Sequence, residues 1–245
     1  MSQLHTVVIT GAGSGIGRAL AAGFTSDGYV VAGLGRTASA LEETMRLCKD
    51  NLFSYKVADV SDNAAVTAAL AQIALEVGPI DVLICNAAVY PRAYFLEQPA
   101  DEWTHALMIN ICGVANCCRA VLPAMLERHA GRIVVVGSFA DAAPIPASSV
   151  YSTSKGALHA LTKALSAEID SHRYPNVLVN EFNPGSTRTA MNEGGHEPAA
   201  VYPSMKRLVE FPAGGPTGRI FLLDQEIRPR EGLKGRIRNL LLRRR

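Results

Sequence analysis

The sequence predicts an α/β fold, in which about seven strands form a parallel, doubly wound sheet with helices on both faces. Short apolar, β-branched runs alternate with longer helix-like segments along the chain. The strand-like runs are almost continuously apolar, as expected for strands buried on both faces. Because no linker rich in Pro, Gly or Ser interrupts this pattern, residues 1–227 are assigned to one domain and residues 228–245 to a basic tail.

Each predicted strand is a short apolar run, and each predicted helix is a longer segment between two strands. The strands are Leu4–Thr10, Tyr29–Leu34, Leu52–Val57, Ile80–Cys85, Gly131–Gly137, Val177–Phe182 and Arg219–Leu223. The helices are Arg18–Phe24, Ala38–Lys49, Ser61–Val77 with Ser61 as its N-cap, Asp101–Arg128 and Val150–Arg173. Ligands of such sheets bind at the carboxyl ends of the strands, so the polar residues that follow the strands are expected to converge there.

The amino-acid composition argues against several classes of function. With 245 residues, 48% of them hydrophobic, the chain can bury a sizeable core, and its net charge of +2 gives no signal for nucleic acid. Five cysteines without a Cys-x-x-Cys pair indicate reduced thiols and a cytoplasmic location. The six histidines lack metal-ligand spacing, so no metal is expected. We expect neither a signal peptide nor a membrane-spanning run.

The first strand leads into a glycine-rich turn and then a helix. Glycine stands at Gly11, Gly13, Gly15 and Gly17, where the amides of a helix N-terminus can point at a phosphate. A Cβ would block the close approach that such binding requires. The spacing is not Gly-x-Gly-x-x-Gly, and a Walker loop is excluded because no Gly-Lys-Ser/Thr follows. The alternative is a tight turn without a ligand.

Tyr151 and Lys155 are four residues apart on a predicted helix, so they share one face. The ammonium favours the tyrosinate and lowers a phenol pKa that is otherwise about 10. A tyrosine of lowered pKa can exchange a proton with an alcohol or carbonyl oxygen. The same spacing also fits a solvated helix face with a packed ring.

Other polar residues accompany this pair in a fixed order. They are Asp59, Asn86-Ala87, Asn110, Ser138 and Asn183-Pro184-Gly185, with Ser138 thirteen residues before Tyr151. Together with the turn Thr10–Gly17, this order resembles the short-chain dehydrogenase/reductase family over almost the whole chain. The resemblance implies a Rossmann-type sheet that binds a nicotinamide dinucleotide and interconverts a carbonyl and an alcohol.

The resemblance assigns catalytic roles to four residues. Tyr151 would be the general acid in reduction and the general base in oxidation. Lys155 would lower the pKa of Tyr151 and bind the nicotinamide ribose. Ser138 would hydrogen-bond the substrate oxygen, and Asn110 would hold a water near Lys155. Alternatively, Ser138 caps the fifth strand and Asn110 bonds its own helix backbone.

The resemblance also implies a set of cofactor contacts. These are Gly11, Ser14, Gly15, Ile16, Gly17, Arg36, Asp59, Val60, Asn86, Ala87, Tyr151, Lys155, Pro184, Gly185, Thr187 and Thr189. In NAD-preferring members an acid follows the second strand, whereas here Gly35 and Arg36 do. Because a guanidinium can grip a 2′-phosphate, we expect NADP(H) over NAD(H), unless Arg36 is a solvated surface residue.

A small-molecule carbonyl or alcohol substrate is expected in a mainly apolar pocket. Its candidate residues are Tyr90, Tyr94, Phe95, Phe139, Ile145, Met191, His196, Tyr202 and Met205. Arg92 can bind a substrate carboxylate or be a solvated loop residue. The chain departs from the family pattern at Ala88 and Thr187 and has a short lid after Ala190. Its ending, Gly214–Leu223, looks like that of carbonyl-reductase-type members.

Two parts of the chain are candidates for contacts with partners, the two long helices and the basic tail. The two long helices form the usual dimer surface of the family, which favours a homodimer, although their apolar residues can equally face the sheet in a monomer. From Arg228 to Arg245 there are eight basic residues and one acid, with Leu233, Ile237, Leu240 and Leu241 at helical intervals. Such a helix can contact an anionic membrane surface or an acidic partner, or pack on the body of the domain.

Two functions fit the sequence. The first is an NADP(H)-dependent carbonyl/alcohol oxidoreductase, and the second is a non-catalytic NADP(H)-binding regulator that senses redox state. The complete set of Asn110, Ser138, Tyr151 and Lys155 favours the enzyme, because a sensor needs no proton donor.

Overall fold

An eight-stranded sheet forms the centre of the computed structural model, which describes residues 6–49 and 51–227. Its strands β1 to β8 are Thr6–Thr10, Val30–Gly35, Phe53–Val57, Val82–Cys85, Gly131–Val136, Val177–Asn183, Ile220–Leu222 and Gln225–Ile227. The basic tail at 228–245, with its predicted membrane or acidic-partner contact, lies outside the described residues.

Helices connect these strands. Helices α1 to α7 are Gly15–Ser26, Ala38–Leu47, Asn63–Glu76, Ala100–Leu107, Gly113–Glu127, Ser149–Glu168 and Tyr202–Val209. A π-helical turn, Met108–Cys112, joins α4 to α5, and a 3₁₀ turn, Pro198–Val201, precedes α7. The sequence did not predict α7 or this 3₁₀ turn.

The strand order is β3-β2-β1-β4-β5-β6-β7-β8. Strands β1 to β7 pair in parallel, and β8 pairs antiparallel with β7. The strand order changes direction between β1 and β4, and open α/β sheets form their ligand crevice at such a point. The predicted α/β fold is therefore confirmed. One strand more than expected is present, because three residues of mixed polarity, Gln-Glu-Ile, give no strand signal.

Apolar side chains fill both faces of the sheet. Residues such as Leu83, Val135 and Val179 form one core layer with helices α3, α5 and α6. Residues such as Ile9 and Phe182 form the other layer, against α1, α2 and α7. Full burial of one such side chain stabilises the fold by about 1.5–3 kcal/mol. The strand backbones are thereby held rigidly, and the loops at their carboxyl ends are positioned on a fixed base.

The predicted helix Asp101–Arg128 is divided by the π-helical turn. Asn110 lies in this turn and is buried, with 1% of its surface exposed. By length and composition the segment Ala100–Glu127 could cross a membrane, so the expectation that no run could do so was too strict. Core helices pass the same test, and here Cys117 and Cys118 lie in the core beside the sheet.

Two helix ends differ from the prediction. Helix α3 is capped by Asp62 rather than by Ser61, since the Asp62 carboxylate accepts bonds from the amides of Ala64 and Ala65, 2.9 and 3.0 Å away. Helix α6 ends at Glu168, five residues before the predicted Arg173. Beyond it the Asp170 carboxylate accepts hydrogen bonds from following amides, a local turn that competes with the helix.

Candidate active site

The carboxyl ends of β1 to β6 open into a cleft of about 720 Å³. Most of the residues expected to bind the cofactor or to act in catalysis line it. They are Gly11, Ser14, Gly15, Ile16, Arg36, Asp59, Val60, Asn86, Ala87, Ser138, Tyr151, Lys155, Pro184, Gly185, Thr187 and Thr189. The remaining two, Gly17 and Asn110, lie behind its wall.

The glycine turn leaves room that side chains would fill. Gly11 has φ +65°, and a Cβ there would lie 2.9 Å from the Cα of Ala87. A Cβ on Gly17 would overlap the carbonyl oxygen of Gly11. Ser14 is the N-cap of α1, but its side chain makes no capping hydrogen bond within the described chain. Ser14, Gly15 and Ile16, at the N-terminus of a twelve-residue helix, line the cleft. Helix amides without a cap are suited to the pyrophosphate of a dinucleotide.

Asn86 fixes the glycine turn to the end of β4. Its side-chain amide donates to the carbonyl oxygens of Thr10 and Gly11, at 3.0 and 3.4 Å. In return, the Thr10 hydroxyl accepts from the amides of Asn86 and Ala87, each 3.0 Å away. We call this set of hydrogen bonds the Thr10–Asn86 brace. It holds together the two sides of the point at which the strand order reverses.

Charged groups lie where β2 and β3 end. The Arg36 guanidinium is 3.6 Å from the Asp59 carboxylate. Burial raises the pKa of Asp59, but hydrogen bonds from Ser61 and the charge of Arg36 bring it below its ordinary value. Thr37 also lines the cleft, as the N-cap of α2, and it was not among the predicted cofactor contacts. A threonine directly before a helix was the available signal.

Tyr151 and Ser138 meet in the middle of the cleft. Burial raises the pKa of the Tyr151 phenol, and a hydrogen bond from the Ser138 hydroxyl lowers it in part. Ser138 Oγ also accepts from the amide of Ala140 at 3.1 Å, which orients the hydroxyl. The arrangement gives a protonated phenol beside a second hydroxyl.

Lys155 differs from the sequence expectation. Its Nζ lies 5.5 Å from the centre of the Tyr151 ring and donates to the carbonyl oxygen of Val136 at 2.7 Å. Burial of Tyr151 therefore outweighs any lowering of the phenol pKa by the ammonium. Burial also lowers the pKa of Lys155 itself to about 8, against the charge of Glu181, which raises it. Near neutral pH the group remains mainly an ammonium.

Asn110 joins two elements behind the cleft. Its amide nitrogen donates to the carbonyl oxygen of Val89 at 2.9 Å and to Ser154 Oγ at 3.0 Å. Its Oδ1 accepts from the amide of Val89 at 2.8 Å. The side chain thus holds the loop after β4 against α6, and its role in holding a water stays a prediction.

Tyr90 stacks on Tyr151. The ring centres are 4.4 Å apart and the planes are inclined by 26°. The Arg92 guanidinium lies 5.1 Å from the centre of the Tyr90 ring and donates to the carbonyl oxygen of Met191 at 2.8 Å. Arg92 therefore bridges the loops after β4 and β6 at the mouth of the cleft.

The pocket prediction was right for part of its residues. Tyr90, Phe139, Ile145 and Met191 line the cleft, as does Arg92. The other candidates, Tyr94, Phe95, His196, Tyr202 and Met205, do not.

The residues outside the cleft have other contacts. Tyr94 and Phe95 are exposed on the loop after β4. Tyr202 packs edge-on against Phe24 and donates to Asp27, while Met205 is fully buried in the core, because both belong to α7. Periodicity after Ala190 gave no reason to separate helix from loop, which is why these positions were misplaced.

A buried group of ionisable side chains behind Lys155 was also missed. Glu181 on β6, His159 on α6 and Asp141 in the loop after β5 are linked by two short contacts. The signal for it was a carboxylate, Glu181, as the last residue but one of the mainly apolar predicted strand Val177–Phe182. Within residues 6–49 and 51–227, no cluster of three or more His, Cys, Asp or Glu is arranged to hold a metal ion.

Comparisons with known proteins agree with this geometry. A family model described as short chain dehydrogenase matches residues 5–199. The chain is 36% identical over 196 residues to 2-(R)-hydroxypropyl-CoM dehydrogenase of Xanthobacter autotrophicus, covering 77% of each protein. It is 35% identical over 185 residues to 2,3-dihydro-2,3-dihydroxybenzoate dehydrogenase of Bacillus subtilis, covering 75% of this chain and 70% of that protein.

Solved structures show the same fold. A short chain dehydrogenase/reductase family protein superimposes with a TM-score of 0.78 at 26% identity, covering 89% of this chain and 94% of the other. NAD⁺-bound xylitol dehydrogenase superimposes with a TM-score of 0.81 at 24% identity, covering 89% and 96%.

Proposed function

We propose that this chain, which belongs to the short-chain dehydrogenase/reductase family of nicotinamide-dependent oxidoreductases, transfers a hydride between NADP(H) and a ketone, aldehyde or secondary alcohol. The observation that carries this proposal is the meeting of Ser138, Tyr151 and Lys155 in one cleft with the glycine turn. A phosphate cradle and a proton donor in the same cleft are what hydride transfer to a carbonyl requires.

The protein's part in the reaction is to move a proton and to hold the oxygen. The dinucleotide, when bound, supplies or accepts the hydride. In reduction Tyr151 gives its phenol proton to the substrate oxygen, and in oxidation it takes that proton back. Ser138 donates a hydrogen bond to the same oxygen, where negative charge develops in the transition state. Lys155 keeps a positive charge beside the phenol and favours its ionised form.

The preference for NADP(H) rests on the end of β2. Gly35 stands where an acid would accept bonds from the adenosine ribose, and Arg36 follows it. Arg36 and Thr37 both line the cleft, at the start of α2. A 2′-phosphate there would meet a guanidinium and helix amides. Asp59, 3.6 Å from Arg36, competes for that guanidinium, so we expect the preference to be modest.

The substrate side favours an apolar molecule with one oxygen to be reduced. Tyr90, Phe139, Ile145 and Met191 supply mainly apolar walls. The names of the two relatives, a hydroxypropyl and a dihydroxybenzoate dehydrogenase, both denote hydroxylated substrates. Arg92 at the mouth is suited to a substrate carboxylate, because a guanidinium binds that group with two parallel hydrogen bonds.

A screen of carbonyl compounds and alcohols, followed by the absorbance of the reduced cofactor, tests the proposal. We expect turnover with NADPH that is lost in Tyr151→Phe, while NADPH still binds. Binding of NADPH without turnover of any compound would favour the redox-sensing regulator. Unchanged turnover in Tyr151→Phe would contradict the assignment of the acid.

A further inference from the structure

A carboxylate is enclosed in the core directly behind the active site. Glu181 lies on β6 and its side chain is completely buried. Its Oε2 is 2.5 Å from Nδ1 of His159, whose Nε2 is 2.8 Å from Oδ2 of Asp141. His159 and Asp141 are only partly exposed, at 23% and 21%. We call these three residues the carboxylate chain.

Gly137 leaves space for the carboxylate chain, because a Cβ there would overlap Oε1 of Glu181. Gly156 of α6 lies beside Asp141, and a Cβ there would make an ordinary contact, 3.4 Å from the Cβ of Asp141. The carboxylate of Glu181 is thus packed against backbone at the end of β5, where a larger residue at position 137 would displace it.

The backbone at the end of β5 positions Lys155 and Ser138. Glu181 is in register with Val135 of β5. The next residue, Val136, provides the carbonyl oxygen to which Lys155 donates, and Ser138 follows Gly137. Oε1 of Glu181 is buried and has no hydrogen-bond partner among the residues that the structure describes. A buried carboxylate oxygen without such a partner is costly unless a positive charge is nearby.

Among the described residues, Glu181 of β6 is the charged group that acts on Lys155. The uncharged ring of Tyr151, on the same helix, lies 5.5 Å from Lys155 Nζ. His159 of α6 contacts both Glu181 and Asp141, which lies in the loop after β5. Asn110, in the π-helical turn, adds an uncharged amide that donates to Ser154, the residue before Lys155. The hydrogen bond with Glu181 is the largest influence on His159 and raises its pKa, although burial opposes this.

A buried lysine loses its proton readily, because burial disfavours the charged form. Lys155 is 3% exposed. The charge of Glu181 acts against this loss, and burial and Glu181 together give Lys155 a pKa of about 8. If this carboxylate were neutral, Lys155 would lose its proton at a lower pH and could no longer stabilise the phenolate.

We propose that Glu181 is a positioning residue of this active site, whose carboxylate is the counter-charge that keeps Lys155 an ammonium. His159 and Asp141 hold that carboxylate against Gly137. The effect on turnover rests on the function proposed above, whereas the charge of Lys155 can be measured without turnover.

The first test is a direct titration of Lys155 by NMR. Protein labelled with ¹³C at the lysine ε-carbon reports the protonation of each amine through its chemical shift, and Lys155→Met identifies the signal. We expect a midpoint of about 8 in the parent protein. In Glu181→Gln the midpoint should fall by roughly one pH unit, the effect of removing one nearby opposite charge. An unchanged midpoint in a folded Glu181→Gln protein would overturn the proposal.

The second test is the pH dependence of carbonyl reduction. Reduction needs the protonated form of Lys155, so the rate falls as pH rises through the pKa of this group. Glu181→Gln should move that fall to lower pH and leave the rate at acidic pH nearly unchanged. A uniform loss of rate at all pH values would mean that Glu181 is merely structural, and would also overturn the proposal.

His159→Gln is the matched control. Its amide can still donate to Glu181, so the carboxylate stays in place and the Lys155 midpoint should not fall. An equal fall in both variants would contradict the assignment to Glu181, and thermal unfolding of both variants shows whether they are folded. If no compound is turned over but the midpoint falls in Glu181→Gln, the proposed reaction fails and the role of Glu181 stands.

Discussion

The two halves of the cleft are built in different ways. The half beneath the glycine turn is made of backbone, which Gly11 and Gly17 allow to come close, and the Thr10–Asn86 brace fixes it. The half formed by the loops after β4, β5 and β6 is made of side chains. Several of these are well exposed, such as Ile145 at 59% and Phe139 at 39%.

This difference predicts which half of the cleft tolerates substitutions. In the backbone half, a Cβ added to a glycine would overlap neighbouring backbone atoms. Because the interior is close-packed, such an overlap would displace its neighbours. In the side-chain half a residue can be exchanged at the cost of one contact, so this half can change substrate without losing the fold. Tyr151 and Lys155 stand at the border, on a helix that both halves share.

The largest effect is expected at that border. Tyr151→Phe keeps the ring and its stacking on Tyr90 but removes the proton donor. We expect kcat to fall roughly a hundredfold to ten-thousandfold, the usual contribution of a general acid. The measurement is steady-state reduction with NADPH. Tyr94→Phe, an exposed residue outside the cleft, is the control and should leave kcat unchanged.

Gly17→Ala tests the intolerance of the backbone half. The new Cβ would overlap the carbonyl oxygen of Gly11 and come within 2.7 Å of the Asn86 amide nitrogen. The turn is expected to shift to relieve overpacking of about 3 kcal/mol, and restoring the binding geometry at that cost would weaken dinucleotide binding roughly a hundredfold. Fluorescence titration with NADPH measures this. Gly194→Ala is the control, since the nearest described atom, Asn192 Oδ1, is 4.0 Å from its added Cβ; equal affinity in all three proteins would contradict the backbone account.

Arg36→Ala tests the side chain in the backbone half that we propose selects NADP(H). Loss of hydrogen bonds to a charged phosphate, for which Asp59 already competes, should reduce kcat/KM with NADPH roughly tenfold. The value with NADH should change little, because that cofactor lacks the 2′-phosphate. Arg46→Ala removes an equal charge from an exposed site on α2, the helix that follows Arg36. A parallel loss with both cofactors would refute the proposed contact.

The smallest effect is expected in the side-chain half. Tyr90→Ala removes the ring that stacks on Tyr151, an interaction of about 0.5–1.5 kcal/mol. We therefore expect kcat/KM to fall by roughly twofold to tenfold. Tyr90→Phe retains the ring and should behave like the parent protein. If Tyr90→Ala were as damaging as Gly17→Ala, the contrast between the two halves would be wrong.

The sequence predicts the backbone half better than the side-chain half, for the same physical reason. A turn that needs glycine at Gly11 and Gly17 leaves a mark in the sequence, and so does the pair Tyr151 and Lys155 at helical spacing. The family resemblance, the Rossmann-type sheet and the succession of seven strands along the chain are confirmed.

The features that the sequence did not predict depend on contacts between distant parts of the chain. Tyr202 and Met205 are aromatic and apolar residues that suit a pocket as well as a core, and only the position of α7 places them in the core. The π-helical turn that holds Asn110 leaves the apolar pattern of the helix unbroken, so periodicity predicts one helix. The actual charge balance at Lys155 depends on Glu181, which is 26 residues away in the chain and was not connected with it.

The Thr10–Asn86 brace also dictates when a folding chain can bind a nucleotide. Its two residues are 76 positions apart, so the brace forms only after β1 and β4 have met, a long-range event that slows folding. A ribosome-bound chain that ends before β4 carries the glycine turn without its support. We therefore expect the chain to bind the dinucleotide only once β1 has paired with β4. Added nucleotide should stabilise only chains in which this pairing has formed.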